Sequence, residues 1–187
     1  MKATATSIPG VTRMDPVVFR DPRGYFLETF HRDKFKQAGL PEIFVQDNHS
    51  FSAARGILRG MHAQLRQPQG KLVRAILGEI FDVAVDLRPD SPAFGRWVGE
   101  VLTGENFRQL YVPPGCAHGF LVLSDEAHVE YKCTGLYDRG DEIGVAWDDP
   151  EIGILWPSGT PLLNERDSAW PRLAALRPQL EAYRGLL

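Results

Sequence analysis

The sequence predicts a mainly β chain, folded as a sandwich, jelly roll or small barrel. Three observations carry this. Gly and Pro occur 18 and 14 times in 187 residues, evenly spread, and punctuate the chain into many short elements. The residues between those breaks are often β-branched or aromatic, which suits strands. Helical spacing is confined to a short early stretch and the C-terminus. There is no internal repeat and no low-complexity linker. Residues 1–187 are therefore expected to form one domain, with a helical appendage from about residue 168.

In order along the chain, segments 17–20 and 26–30 read as strands. Residues 30–38 read as a helix that Gly39 stops. Segment 57–64 is the next strand. Segments 72–77 and 80–87 are the clearest strands of all, and Gly78-Glu79 between them reads as a tight hairpin turn. In the second of these, Phe81, Val83, Val85 and Leu87 alternate with Ile80, Asp82, Ala84 and Asp86. One face is thus apolar and the other carries two carboxylates. Further strands are expected at 97–102, 109–112, 119–123 and 128–133. Near the C-terminus Asp167 or Ser168 is placed to cap a helix near Pro171. Leu173, Leu176, Leu180 and Tyr183 recur there at helical spacing, and Pro178 is expected to interrupt it. A small barrel of such strands can hold one ligand among its inward-facing side chains.

Hydrophobic residues make up 43% and charged residues 24% of the chain, and the net charge is −3. This balance disfavours nucleic-acid and anionic-membrane binding. No apolar run approaches the roughly 20 residues of a membrane span. The first residues lack the apolar stretch of a secretory signal. Cys116 and Cys133 have no zinc-type spacing and read as buried free thiols. A cytoplasmic protein is expected.

Four constellations bear on chemistry. Between Asn48 and Gly78 lie Arg55, Arg59, Arg66, Lys71 and Arg74 with no acidic residue, a local excess suited to an anion such as phosphate. Arg59, inside Ile57-Leu58-Arg59-Gly60-Met61-His62, and Lys71, opening an apolar strand, are the least like solvated surface charges. The second signal is an incomplete metal motif. Gly56, five residues, then His62 resembles the first half of a cupin metal segment, and Pro114-Gly115-Cys116-Ala117-His118 resembles the second. The run His62-Ala63-Gln64 lacks the usual His-x-His, and the next carboxylate is Glu79. Two histidines are poor equipment for a three- or four-ligand site, which leaves acid–base work or substrate hydrogen bonding. His31, His49 and His128 read as ordinary structural or surface imidazoles. Third, Tyr131 and Tyr137 flank a short segment, and a phenol in a pocket can donate a proton or stack. Fourth, Asp167 could orient an imidazole, although by itself it reads as a helix cap.

Asp21-Pro22-Arg23-Gly24-Tyr25-Phe26-Leu27-Glu28, Phe44-Val45-Gln46-Asp47-Asn48-His49-Ser50, Leu58-Arg59-Gly60-Met61-His62-Ala63-Gln64 and Gln69-Gly70-Lys71-Leu72-Val73-Arg74 form an ordered series of blocks. The segment from Gly78 to Arg88, the segment Pro114 to Phe120, Tyr131-Lys132-Cys133-Thr134 and Trp147-Asp148-Asp149-Pro150 continue it. In that order they resemble the dTDP-4-dehydrorhamnose 3,5-epimerases. The resemblance implies a cupin-like jelly-roll barrel, with short helices near the N-terminal third and at the C-terminus. It implies no metal and no cofactor. It also implies homodimers in which N-terminal residues serve the neighbouring site. By resemblance His62 is the general base, Asp167 its orienting partner, Tyr131 the proton donor on the opposite sugar face, and Lys71 a neighbour of the C4 oxygen. Arg23, Phe26, Glu28, Gln46, Asp47, Asn48, Arg59, His118, Tyr137, Glu142 and Arg166 fall where the family binds its dTDP-sugar.

The chain departs from the family pattern at three places. Ala63 stands where a tyrosine is usual, Arg166 where a lysine is common, and the loop from Gln64 to Gly70 is one residue short. These bear on whether C3, C5 or both centres are inverted. A metal-dependent cupin enzyme and a non-catalytic sugar-nucleotide binding module are the alternative readings. Regular strand alternation would put Arg59 and His62 on opposite faces, so a bulge near Gly60 is expected if both reach one site.

Overall fold

Alternating apolar residues on short strands produce two antiparallel sheets that face each other as a jelly-roll barrel. The computed structural model describes residues 1–157 and 159–186. The N-terminal part holds β1 (Lys2–Ala5), β2 (Thr12–Asp15), β3 (Val18–Asp21), β4 (Gly24–Leu27), α1 (Arg32–Gln37) and β5 (Gln46–Ser52). The middle holds β6 (Leu58–Gln64), β7 (Lys71–Leu77), β8 (Glu79–Asp86), β9 (Trp97–Thr103) and β10 (Gln109–Val112). Then come β11 (Cys116–Val122), β12 (Ala127–Cys133), β13 (Glu142–Gly144), α2 (Glu165–Ser168) and α3 (Leu173–Ala182). One sheet has the order β1-β2-β10-β7-β12-β5 and the other β13-β6-β11-β8-β9, while β3 and β4 make a separate hairpin.

The expected hairpin at Gly78-Glu79 is not one. β7 pairs with β10 and β12, whereas β8 pairs with β11 and β9. Gly78 is where the chain crosses from one sheet to the other. It has φ +79°, and a Cβ there would lie 2.1 Å from the Glu126 carbonyl oxygen. Periodicity cannot distinguish a crossover from a hairpin, because both need two strands and a glycine.

The crossing also decides what the two faces of β8 meet. Ile80 and Ala84 point between the sheets, with Val73, Leu110, Phe120 and Val129. Val83, Val85 and Leu87 point outward into a second apolar cluster with Met61, Val145, Leu173, Leu176 and Leu180. The carboxylate-bearing face of β8 is therefore the inner one, and both Asp82 and Asp86 are fully buried.

α3 runs through Pro178 without interruption. An internal proline costs about 3 kcal/mol. Burying Leu173, Leu176 and Leu180 gains about 1.5–3 kcal/mol each, so packing wins. Nor do Asp167 or Ser168 cap this helix. The Leu173 N–H donates instead to Asp149 Oδ2 at 2.7 Å, across 24 positions of sequence. In α1, His31 accepts from the Asp33 N–H and caps the helix, and Gly39 follows with φ +71°. Among the described residues no helix is long and apolar enough to cross a membrane.

Candidate active site

The expected irregularity in β6 is present. Between the pairs His118↔His62 and Phe120↔Arg59, β6 spends one residue more than β11. Gly60, with φ +133°, absorbs it, and its missing side chain lets β6 approach β11, since a Cβ would sit 2.6 Å from Gly119 Cα. The bulge turns Arg59 and His62 toward the same side. Both line a cavity of about 290 Å³ between the sheets.

Lining that cavity is a hydrogen-bonded His–Asp pair. His62 Nε2 lies 2.8 Å from Asp167 Oδ1, with the two side chains 19% and 1% exposed. The Gly60 N–H donates to the other oxygen at 3.1 Å, and Arg166 Nε is 3.5 Å from the first. Burial works to raise the Asp167 pKa. The hydrogen bond and charge of His62 and the Gly60 N–H outweigh it and hold the carboxyl below its usual value. An ionised carboxylate only accepts, so His62 Nε2 carries a hydrogen and Nδ1 is the ring nitrogen that faces away from Asp167. Asp167 sits inside α2, whose N-cap is Asn164. Its role in the fold is thus to join the last quarter of the chain to β6.

A second imidazole stands directly across from the first. His118 is the cross-strand partner of His62, and its Nε2 lies 2.7 Å from Asp82 Oδ1. Asp82 is pushed upward by burial, only partly countered by His118, and its other oxygen is buried with no partner among the described residues. Asp82 was not among the site residues expected from the sequence, nor were the lining residues Ser50, Gln64, Gln69, Phe120, Cys133 and Asn164. The signal for Asp82 was the strand alternation of β8, once the buried face is known.

Lys71 and Tyr131 come from the opposite sheet, on β7 and β12, and also line the cavity. Burial lowers the Lys71 pKa, opposed by Cys133, Glu142 and Asp82. No side-chain hydrogen bond is formed by its ammonium group among the described residues. Burial likewise raises the Tyr131 phenol. At the rim, Tyr137 Oη donates to Glu142 Oε2 at 3.1 Å and Arg166 Nη1 to the same oxygen at 2.6 Å. Arg59 is held by the Phe51 carbonyl and Ser52 Oγ. Gln46 and Asn48 complete the wall from β5.

Of the five clustered basic residues, only Arg59 and Lys71 line the cavity. Arg55, Arg66 and Arg74 pair with Asp125, Asp141 and Glu130. Four other candidates lie apart from it. Asp47 is on the other face of β5, bound to Lys132 at 2.9 Å. Arg23 pairs with Asp21 and Glu28 with Lys34, and Phe26 is 69% exposed. Ala63 borders the cavity but belongs to the outer apolar cluster. The short loop after Gln64 is closed by Asp141, which accepts from the Arg66 and Gln67 N–H groups. Among the described residues no three His, Cys, Asp or Glu side chains are grouped to hold a metal. His49 and His128 pair with each other on the surface at 2.9 Å.

The comparison with known proteins gives this geometry its context. A family model described as dTDP-4-dehydrorhamnose 3,5-epimerase matches residues 5–175. The dTDP-4-dehydrorhamnose 3,5-epimerase of Pseudomonas aeruginosa is 56% identical over 169 residues, spanning 89% of this chain and 93% of that protein. The dTDP-4-dehydrorhamnose 3-epimerase of Streptomyces niveus is 42% identical over 179 residues, 95% and 86% of the two chains. The crystal structure of dTDP-6-deoxy-D-glucose-3,5-epimerase RmlC from Legionella pneumophila, in complex with dTDP-4-keto-L-rhamnose, superposes with a TM-score of 0.92. It is 42% identical, with 96% of each chain covered. Barrel and relatives together define an isomerase with a cupin-like fold, of the kind that inverts carbon centres in sugars. The chain belongs to the dTDP-4-dehydrorhamnose 3,5-epimerase family.

Proposed function

We propose that the chain epimerises dTDP-4-keto-6-deoxy-D-glucose at C3, C5 or both, with His62 as base and Tyr131 as acid. A proton next to a ketone is removable because the electron pair left behind moves into the carbonyl and forms an enolate. In this reading His62 Nδ1 takes the proton, and Asp167 stabilises the imidazolium so formed. Lys71, with no side-chain hydrogen-bond partner among the described residues, faces the C4 oxygen as its negative charge grows. Tyr131 returns a proton to the opposite face of the ring. His62 has then gained one proton and Tyr131 has lost one, and exchange with solvent resets both. His118, Gln46, Asn48, Arg59, Tyr137, Glu142 and Arg166 hold the sugar and diphosphate, and that remote binding anchors the reacting ring.

The observation that carries this reading is the placement of base and phenol on different sheets. His62 projects from β6 and Tyr131 from β12, and both line one cavity. Inversion requires removal and return of a proton on opposite faces, and opposed walls supply that. We also read the protein as a cytoplasmic homodimer. Its β3–β4 hairpin is anchored by Tyr25 on Phe107 at 4.6 Å, while Phe19 and Phe26 are 61% and 69% exposed. An exposed aromatic pair of this kind marks an interaction surface. Arg23, Phe26 and Glu28 would then serve the cavity of the second copy, with Asp47 facing the same junction.

The test is solvent deuterium incorporation by the purified protein, without added metal or nicotinamide. Label is expected at C5, C3 or both, and its absence from both positions refutes the reading. The 3-epimerase among the relatives favours C3 inversion alone as a second outcome, which NMR of the product after C4 reduction separates.

A further inference from the structure

Trp170 stands behind the base without lining the cavity. Its ring meets the His62 imidazole edge to face, with centroids 5.9 Å apart and planes at 71°. The same indole lies flat against Gly144, the cross-strand partner of His62. A Cβ at Gly144 would sit 2.2 Å from the indole Cδ2 and 2.3 Å from Cε2. Any side chain there would evict the ring. The segment bearing Trp170 is fixed at both ends. Upstream is α2 with Asp167. Downstream, the Ala146 N–H donates to the Pro171 carbonyl at 2.9 Å, and a residue before proline is confined to extended backbone. The indole N–H is buried and has no partner among the described residues. A buried tryptophan N–H usually finds one, and leaving a donor unpaired is unfavourable. The chain keeps the ring in spite of its polar atom.

We infer that Trp170, seated in the notch left by Gly144, is a positioning residue that locks the His62 imidazole onto Asp167. A histidine ring turns about two side-chain torsions. Asp167 restrains one end of it through a single hydrogen bond, and an edge-on aromatic wall removes the remaining swing. Without the wall the Nδ1 lone pair would sample directions away from the carbon acid, and misplacement by about 1 Å can cost roughly 100-fold in rate. This rests on the reading of His62 as base.

The experiment measures solvent exchange into the dTDP-4-keto sugar, steady-state kcat and KM, and dTDP affinity by calorimetry. Wild-type exchange tests the reading of His62 as base by itself, before any variant. Trp170→Ala is expected to lower kcat roughly 10- to 100-fold, with KM and dTDP affinity within about twofold, as for a group acting only on the transition state. Trp170→Phe keeps an aromatic edge, drops the unpaired donor, and is expected to restore most of kcat. Gly144→Ala displaces the indole and should mimic Trp170→Ala, and the double variant should be no slower than the worse single one. If Trp170→Ala does not fold, Trp170→Leu carries the test, since it fills space without a planar edge and is expected to lose kcat with binding intact. Unchanged kcat in a folded Trp170→Ala or Trp170→Leu overturns the inference. So does loss of dTDP affinity in step with kcat, or failure of Trp170→Phe to recover activity.

Discussion

The two histidine–aspartate pairs of the barrel are neighbours across one strand junction, yet they are built differently. Asp167 reaches His62 from a helix 105 positions away and is bound by the Gly60 N–H, with Arg166 nearby. Asp82 reaches His118 from the adjoining strand, and its second oxygen has no partner among the described residues. Their pKa values are displaced in opposite directions, Asp167 downward and Asp82 upward. A carboxylate that stays charged stabilises an imidazolium. Asp82, pushed upward by burial, is less inclined to carry that charge. The pair whose carboxylate has the fuller set of hydrogen-bond donors is the one we read as the base, although both histidines face the same cavity.

Removing the base itself should have the largest effect. His62→Ala is expected to slow exchange by roughly 10⁴-fold, the upper end for a general base, with dTDP affinity within a few fold by calorimetry. An equal loss of affinity would make His62 an anchor instead. Next comes Asp167→Asn. An amide must turn its NH₂ toward either the Gly60 N–H or the His62 N–H, so a donor meets a donor, and kcat should fall by roughly 10²- to 10³-fold. Asp82→Asn should cost about tenfold or less. If the two asparagine variants lose equal activity, the contrast between the pairs is not functional.

The opposed shifts also predict opposed acid behaviour, read as melting temperature against pH. The folded pKa of Asp167 is depressed, so its stabilising contribution is present above the unfolded value of about 4 and is lost as pH falls through the folded one. The wild-type advantage over Asp167→Asn should shrink in acid. The folded pKa of Asp82 is raised, so its contribution is present below about 4 and is lost as pH rises through the folded value. Asp82→Asn should therefore gain on wild type as pH rises toward neutrality. Parallel curves for the two variants would contradict the assigned directions. The smallest effect is expected from exhaustive chelation, which should leave exchange rates unchanged, because among the described residues no three His, Cys, Asp or Glu side chains are grouped to hold a metal.

The sequence was most legible where a residue conflicted with its surroundings. Arg59 and Lys71 were singled out because charges are out of place in apolar strands, and these two of the five reach the cavity. The bulge at Gly60 followed from requiring two side chains to share a face. What failed was anything that depends on pairing. Gly78 looked like a hairpin because sequence carries no information on which sheet accepts the next strand. β1, β2, β5 and β13 were not expected, and in β5 and β13 polar residues take cavity and edge positions in place of apolar alternation. Asp167 resembled a cap, and Pro178 a break, because their actual partners lie far away in the chain.

The bond from Gly60 to Asp167 spans 107 positions. On the ribosome, both sheets can have all their strands available before α2 emerges. A nascent chain could thus close its barrel while the imidazole still lacks its carboxylate. The carboxylate that orients the base thus joins the site late in synthesis, after the strands that carry His62, Lys71 and Tyr131.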